Sequence, residues 1–275
     1  MLHTSRLLSY AHLLHAGGGR RALLEPQARQ IGLNREESEQ VLETLHTLGV
    51  ADGWQLVGRK MIAEGGRDQS GASATPSLGY LYQHSTVYAE RNAAALKLGS
   101  AKPMMVEPKL VFSLGSTPEA DDSLDSFFQR VDSVALALEI LQNPFKGDDW
   151  TNEDKVCANG FHSKLVIGEP RTLSRQSRGM FDQIISNTTM TLNVVHREGA
   201  HIVGFGIGRN NIDQSLQHAY TLHREHVDCK RASPFAQGQW VAIGGWLPGK
   251  MMTAGQEWIA VVSGIDLPSL RVATK

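Results

Sequence analysis

Apolar spacing divides the chain into two regimes. Leu7, Leu8, Ala11, Leu13 and Leu14 form a loose i, i+3, i+4, i+7 stripe that ends at Gly17-Gly18-Gly19, a run too flexible to extend a helix. Asn34, followed three residues later by Glu37, has the form of a capping box. It opens a helix whose Val41, Leu42, Leu45 and Leu48 share a face before Gly49 stops it. These helices predict an N-terminal cap over residues 1–53. From residue 54 to 275 the period changes to two, with β-branched content and turn residues between the runs. The spacing predicts strands over 55–62, 104–114, 133–141, 161–167, 188–196, 201–207, 239–245 and 257–263. Helices are expected at about 122–131, 152–158, 172–185 and 211–226, and a hairpin at Arg197-Glu198-Gly199-Ala200. Many strands without regular βαβ alternation predict an α+β fold with a rolled or barrel-like mixed sheet, not a doubly wound one.

Composition narrows the function classes. Across 275 residues, 27 Lys and Arg against 28 Asp and Glu leave a formal charge of −1, and 41% of residues are hydrophobic. No electrostatic footprint for nucleic acid is present. No stretch approaches the roughly 20 apolar residues of a membrane span, and His3, Arg6 and His12 interrupt any signal-like run, so a cytoplasmic protein without membrane contact is expected. Cys157 and Cys229 make neither a disulfide framework nor a zinc spacing. Gly204-Phe205-Gly206-Ile207-Gly208 fails the dinucleotide pattern, because Arg209 stands where the third glycine belongs and no βαβ unit surrounds it.

The chemistry-bearing segment is Met104-Met105-Val106-Glu107-Pro108-Lys109-Leu110-Val111-Phe112-Ser113-Leu114-Gly115. In a strand, Val106, Pro108, Leu110, Phe112 and Leu114 point one way while Glu107, Lys109, Val111 and Ser113 point the other. The apolar run Val134–Leu141 carries one carboxylate, Glu139, which needs a partner if buried; Lys109 is the evident candidate. A purely structural ion pair would satisfy the same pattern.

Five blocks resemble the fumarylacetoacetate hydrolase superfamily, nearest its 2-hydroxypenta-2,4-dienoate hydratase and 4-oxalocrotonate decarboxylase branch. They are Gly58-Arg59-Lys60, Pro76-Ser77-Leu78-Gly79-Tyr80-Leu81, Val106–Gly115, Ala137-Leu138-Glu139-Ile140 and Gly238–Trp246, in that order from about residue 35 to the C-terminus. The resemblance implies a mixed β-roll or barrel like that family's C-terminal domain, with residues 54–275 as the catalytic part. It also implies a lyase or isomerase acting on a small keto or enol substrate through an enolate. The family's Glu-x-Glu strand and a third Glu hold Mg²⁺ or Mn²⁺; here those positions are Glu107, Lys109 and Glu139, so the middle ligand is a lysine. An ammonium conserves the local charge of a metal and its ligand and can donate to a developing enolate oxygen, so no cofactor is expected. It cannot chelate a 2-oxo acid, which favours another oxygen pattern such as a 1,3-dicarbonyl or an enone. A Schiff base through Lys109 is disfavoured by its flanking carboxylates.

Further roles follow from the same resemblance. Lys60 corresponds to a lysine near the substrate and joins Lys109, Glu107 and Glu139 as a candidate catalytic group. In Cys157-Ala158-Asn159-Gly160-Phe161-His162-Ser163 the family's Asp and Ser positions have become Ala158, Phe161 and His162, while Asn159 survives. His162 suits acid–base work near neutral pH. Leu81, Asn159, Phe161, Trp150, Trp246 and Leu247 fall at substrate-side positions, and their aromatics favour an apolar or cyclic substrate. Asn143 and Pro144 stand where the family often has an Asp-Ser-Arg segment. His218, His223 and His226 lie on a polar helix whose i, i+3 pair could bind a metal, but solvated histidines explain them equally well. Two alternatives remain open: a Mg- or Mn-dependent hydratase or decarboxylase with Glu107 and Glu139 holding the ion, and a non-catalytic member that stabilises a paired enzyme. A homo-oligomer is expected.

Overall fold

The computed structural model describes residues 2–17, 23–62, 76–98 and 103–275; Met1, Gly18 and Gly19, which entered the reading above, lie outside them. The helices are α1 (Leu2–Gly17), α2 (Ala28–Ile31), α3 (Arg35–Ala51), α4 (Leu124–Gln129), α5 (Asn152–Cys157), α6 (Arg175–Arg178), α7 (Phe181–Ser186), α8 (Gly208–Asn211) and α9 (Asp213–Asp228). The strands before residue 170 are β1 (Leu56–Ile62), β2 (Ser77–Tyr82), β3 (Thr86–Tyr88), β4 (Ala93–Leu96), β5 (Met104–Leu114), β6 (Val131–Leu141) and β7 (His162–Ile167). Those after it are β8 (Arg171–Thr172), β9 (Thr189–His196), β10 (Gly199–Ile207), β11 (Trp240–Ile243), β12 (Lys250–Met252), β13 (Glu257–Ser263) and β14 (Leu270–Thr274).

Among the described residues the strands form two sheets. The first curls into a half-barrel in the order β2-β1-β11-β5-β6-β7-β3, with β12 added to β5 and β8 to β6. The second runs β10-β9-β13-β14-β4. This is the α+β architecture that the strand spacing predicts. Alternation along β5 and β6 sorts the side chains. Val106, Leu110, Phe112, Leu136, Leu138 and Ile140 face the main core, where Leu192, Val194, Trp258 and Val272 of the second sheet meet them. Val111, Ala135 and Ala137 face the inside of the curl with Leu81, Leu165 and Ala242. Glu107, Lys109 and Glu139 share the parity of this inner set.

Several boundaries differ from the spacing. The strand expected over 239–245 stops at Ile243 because Gly244 turns to φ +75°. The helix expected over 172–185 is broken: Arg171–Thr172 pair with β6, Ser174 caps the four-residue α6, and Gly179 ends it before α7 begins. Besides β8, strands β2, β3, β4, β12 and β14 were not expected. β4 reads Ala-Ala-Ala-Leu, a helix-favouring run, yet lies parallel to β14 from Ala93 opposite Arg271 to Leu96 opposite Thr274; pairing overrides propensity. The hairpin forms as expected, with His196 opposite Gly199.

The N-terminal helices cover one end of the curl. The Asn34–Glu37 capping box opens α3 as predicted. Tyr10, Ala11, Leu14 and Val41 from α1 and α3 pack with Leu141, Phe145, Cys157 and Phe161. Asp154, fully buried, fastens them. Its Oδ1 accepts from Tyr10 Oη at 2.5 Å and from the Gln27 and Ala28 amides at 3.0 and 2.8 Å, while Oδ2 accepts from the Thr151 amide at 3.0 Å. An amide at this position would, in either orientation, set an NH₂ against at least one backbone N–H that only donates. Asp154→Asn is therefore expected to lower stability by roughly 1–3 kcal/mol, read from the urea midpoint; an unchanged midpoint would refute the anchor.

Candidate active site

The site follows from register. β5 and β6 run antiparallel with Glu107 opposite Glu139, an arrangement in which the two carboxylates repel unless a cation stands between them. Lys109 supplies it. Its Nζ lies 2.8 Å from Glu107 Oε1 and 3.4 Å from Glu139 Oε2, and it also donates to the Gly244 carbonyl. The strand is open here for a backbone reason. β11 pairs with residues 110–113 of β5 and β12 with 104–106, which leaves 107–109 without a strand partner on that edge among the described residues. The Pro108 carbonyl, accepting from the Trp246 amide at 3.4 Å, faces this gap, so the N–H that proline lacks is not missed by β6. Gly245 crosses the gap so closely that a Cβ there would lie 1.9 Å from Glu107 Oε1.

Curvature brings in the remaining groups. Lys60 sits on β1, three inter-strand steps from β6, about 14 Å away if the sheet were flat. On the concave face its Nζ reaches Glu139 Oε1 at 2.5 Å. His162, at the start of β7, places Nδ1 2.8 Å from the same oxygen and Nε2 3.0 Å from Ser85 Oγ. The side chains of Lys60, Lys109, Glu139 and His162 are only 1–6% exposed, whereas that of Glu107 is 18% exposed. Lys60 changes the charge count expected from the strand alone, because the four formal charges of Glu107, Glu139, Lys60 and Lys109 cancel.

Burial and pairing pull these groups apart in acidity. Burial alone would raise the Glu139 carboxyl, but Lys60, Lys109 and the hydrogen bond from His162 outweigh it and hold it below the ordinary carboxylate range. Burial would lower Lys109, yet Glu107 and Glu139 together hold it above the ordinary lysine value. For Lys60 burial wins over the attraction of Glu139, and the pKa is lowered. Burial likewise lowers His162 despite its carboxylate partner. The result is one fixed ammonium beside two groups, Lys60 and His162, that give up a proton more readily. Lys155, also lowered by burial and by the two lysines, belongs to the same electrostatic neighbourhood.

The other expected site residues separate. Asn159 and Phe161 lie on a tight turn at φ +53° and +61°; Asn159 clasps the Tyr80 backbone through both amide atoms, each at 2.9 Å. Both residues line a cavity of 370 Å³ under the N-terminal helices, together with His162, Ser85, Trp54 and Tyr82. Trp150 packs edge-on against Phe161 at 4.9 Å. Leu81 is inside the curl with Val111 and Ala137, and Trp246 and Leu247 are buried in the main core. His223 turns inward, with Ser233 Oγ and the Glu119 carbonyl each 3.0 Å away. Ser85 and Lys155 had no motif to announce them. Ser85 sits in a 3₁₀ turn, Gln83–Ser85, and joins His162 only because β2 and β3 flank the ends of the curled sheet.

A divalent ion does not fit this donor set. Among the described residues no group of three His, Cys, Asp or Glu side chains is placed to hold one. The space between Glu107 and Glu139 holds the Lys109 ammonium, and a dication there would meet a like charge in a dry site.

No family profile and no curated sequence matches the chain. The fold it shares with solved structures is that of fumarylacetoacetate hydrolase-like proteins. It is similar to 4-oxalocrotonate decarboxylase from Pseudomonas putida G7, complexed with magnesium and adipate, at 14% identity and a TM-score of 0.80 over 99% of this chain and 98% of that one. It also resembles yeast ynq8, a fumarylacetoacetate hydrolase family protein, at 10% identity and a TM-score of 0.53, over 79% and 91% of the two chains. Fumarylpyruvate hydrolase from Pseudomonas aeruginosa, in complex with Mn²⁺ and pyruvate, matches at 15% identity and a TM-score of 0.51 over 78% and 87%.

The lowered pKa of Glu139 fixes a pH dependence. Its stabilising contribution is complete above the ordinary carboxylate range and fades as pH falls through the lower, folded-state value. Glu139→Gln should thus cost most stability near neutral pH, and the gap to the wild type should narrow on acidification to about pH 3. Urea unfolding of both proteins across that range checks this; a constant gap would contradict it.

Proposed function

We propose that the chain is an enzyme of the fumarylacetoacetate hydrolase superfamily, in the hydratase and decarboxylase branch, which forms an enol or enolate of a small keto or dicarbonyl substrate without an obligatory metal. Residues 54–275 form its catalytic part. The observation that carries this reading is the position of Lys109 Nζ between Glu107 and Glu139, on the strand pair where the resemblance implies a metal ion. A fixed ammonium there polarises a carbonyl oxygen and donates to the oxyanion that grows on it, an interaction worth more in a dry site than in water. Lys60 and His162, whose protons are held less tightly, carry protons to and from the neighbouring carbon by way of Glu139 or directly. Glu107, the most exposed member, orients Lys109 and meets the substrate first. Lyase and isomerase outcomes share this first step, and the substrate decides between them.

The ions bound in the similar structures favour a second reading. The decarboxylase was solved with magnesium and the fumarylpyruvate hydrolase with Mn²⁺, so a metal-dependent member would have to swing Lys109 away to free Glu107 and Glu139. Proton exchange at the carbon next to the carbonyl separates the readings without knowledge of the full reaction. In D₂O, a panel of 1,3-dicarbonyls, enones and 2-oxo acids is followed by NMR. Exchange is expected to survive EDTA and to fall by about 100-fold or more in Lys109→Met, as for loss of an oxyanion donor. Exchange that appears only with added Mg²⁺ or Mn²⁺ would establish the metal-dependent reading. Absence of exchange with every compound would point to a non-catalytic member.

A further inference from the structure

Ser85 Oγ, His162 and Glu139 form a continuous chain that the enol chemistry above does not use in full. Oγ lies 3.0 Å from His162 Nε2, and His162 Nδ1 lies 2.8 Å from Glu139 Oε1. Both distances fall in the range that joins a nucleophile to its base and the base to the group that orients it. The direction of the chain follows from donor chemistry. An ionised carboxylate only accepts, so Nδ1 must carry the ring proton and Nε2 presents its lone pair to Oγ. The Ser85 hydroxyl has two acceptors, Nε2 and the Tyr82 carbonyl at 3.1 Å, and its oxygen receives the Tyr82 amide at 3.4 Å.

The surroundings suit a reactive hydroxyl. Ser85 and His162 both line the 370 Å³ cavity beneath the N-terminal helices, whose walls include Leu42, Leu45, Trp54 and Phe161. Lys164, also on that lining, donates from Nζ to the His84 carbonyl at 2.7 Å, in the residue next to Ser85. From this geometry we propose that Ser85 is a nucleophile for acyl transfer, with His162 as its base and Glu139 as the orienting group, acting on esters or thioesters of apolar acyl groups.

The step balances within these residues and water. Ser85 Oγ attacks the acyl carbon while its proton passes to His162 Nε2. The bond to the leaving alcohol or thiol breaks, and that group departs with the proton from His162. Water then repeats the sequence, releasing a carboxylic acid and restoring the serine hydroxyl. The reaction uses the ring nitrogen facing away from Lys109 and requires neither metal nor enol, so its failure would leave the enol reading untouched.

An alkyl fluorophosphonate incubated with the full chain tests it. One adduct is expected, formed by an Oγ–P bond with loss of fluoride and mapped to Ser85 by peptide mass spectrometry. It should be absent in Ser85→Ala and should form about 100-fold or more slowly in His162→Gln, the loss expected for a general base. p-Nitrophenyl butyrate should release a burst of nitrophenol equal to the chain concentration. No adduct beyond that on urea-unfolded protein, an adduct at another residue, or an unchanged rate in His162→Gln would overturn the proposal. Mapping on the wild-type chain decides the matter even if a variant misfolds.

Discussion

A single buried carboxylate constrains the inside of the curled sheet. Glu139 has almost no contact with solvent, and an isolated charge so placed would cost several kcal/mol or neutralise itself. It stays ionised because three strands each send a partner to it: Lys60 from β1, Lys109 from β5 and His162 from β7. The contact from Lys60, three strands away, exists only while the sheet is bent. Flattening it would carry Lys60 out of reach and leave unpaired charges on both sides, so the curvature and the charge cluster sustain each other.

Crowding of four charges inside a small curl produces functional asymmetry rather than a uniform salt bridge. Two carboxylates clamp Lys109 and fix its charge, whereas burial dominates at Lys60 and His162 and loosens their protons. Groups with separated acidities in one site are what proton-transfer chemistry needs. His162 has a second consequence, since it is the point where the dry cluster touches the cavity beneath the N-terminal helices. The Asp154 anchor then acquires a role in the site, because it holds α1 and the backbone at residues 27–28 to α5, at the end of the curl where the cavity lies.

Much of this was written in the residues. Alternation along 104–114 put Glu107 and Lys109 on one face, the lone carboxylate of the apolar run over 133–141 called for a cation, and the capping box at Asn34 located α3. Other placements were not legible. The resemblance put Trp246 and Leu247 at substrate-side positions, but they fill the main core because the chain turns at Gly244 and the Trp246 amide meets the Pro108 carbonyl of β5. The glycine at 245 is demanded by Glu107, a residue distant in sequence, and no local pattern could reveal that contact.

Sequence alone determined the two regimes of periodicity, the strand-rich α+β class and the charged face of the strand at 104–114, because each depends on spacing within a few residues of its neighbours. Tertiary structure decided which cation serves which carboxylate, the junction of Ser85 with His162 and the cavity above them. Those features depend on distances between strands far apart in the chain, and only the bending of the sheet sets those distances.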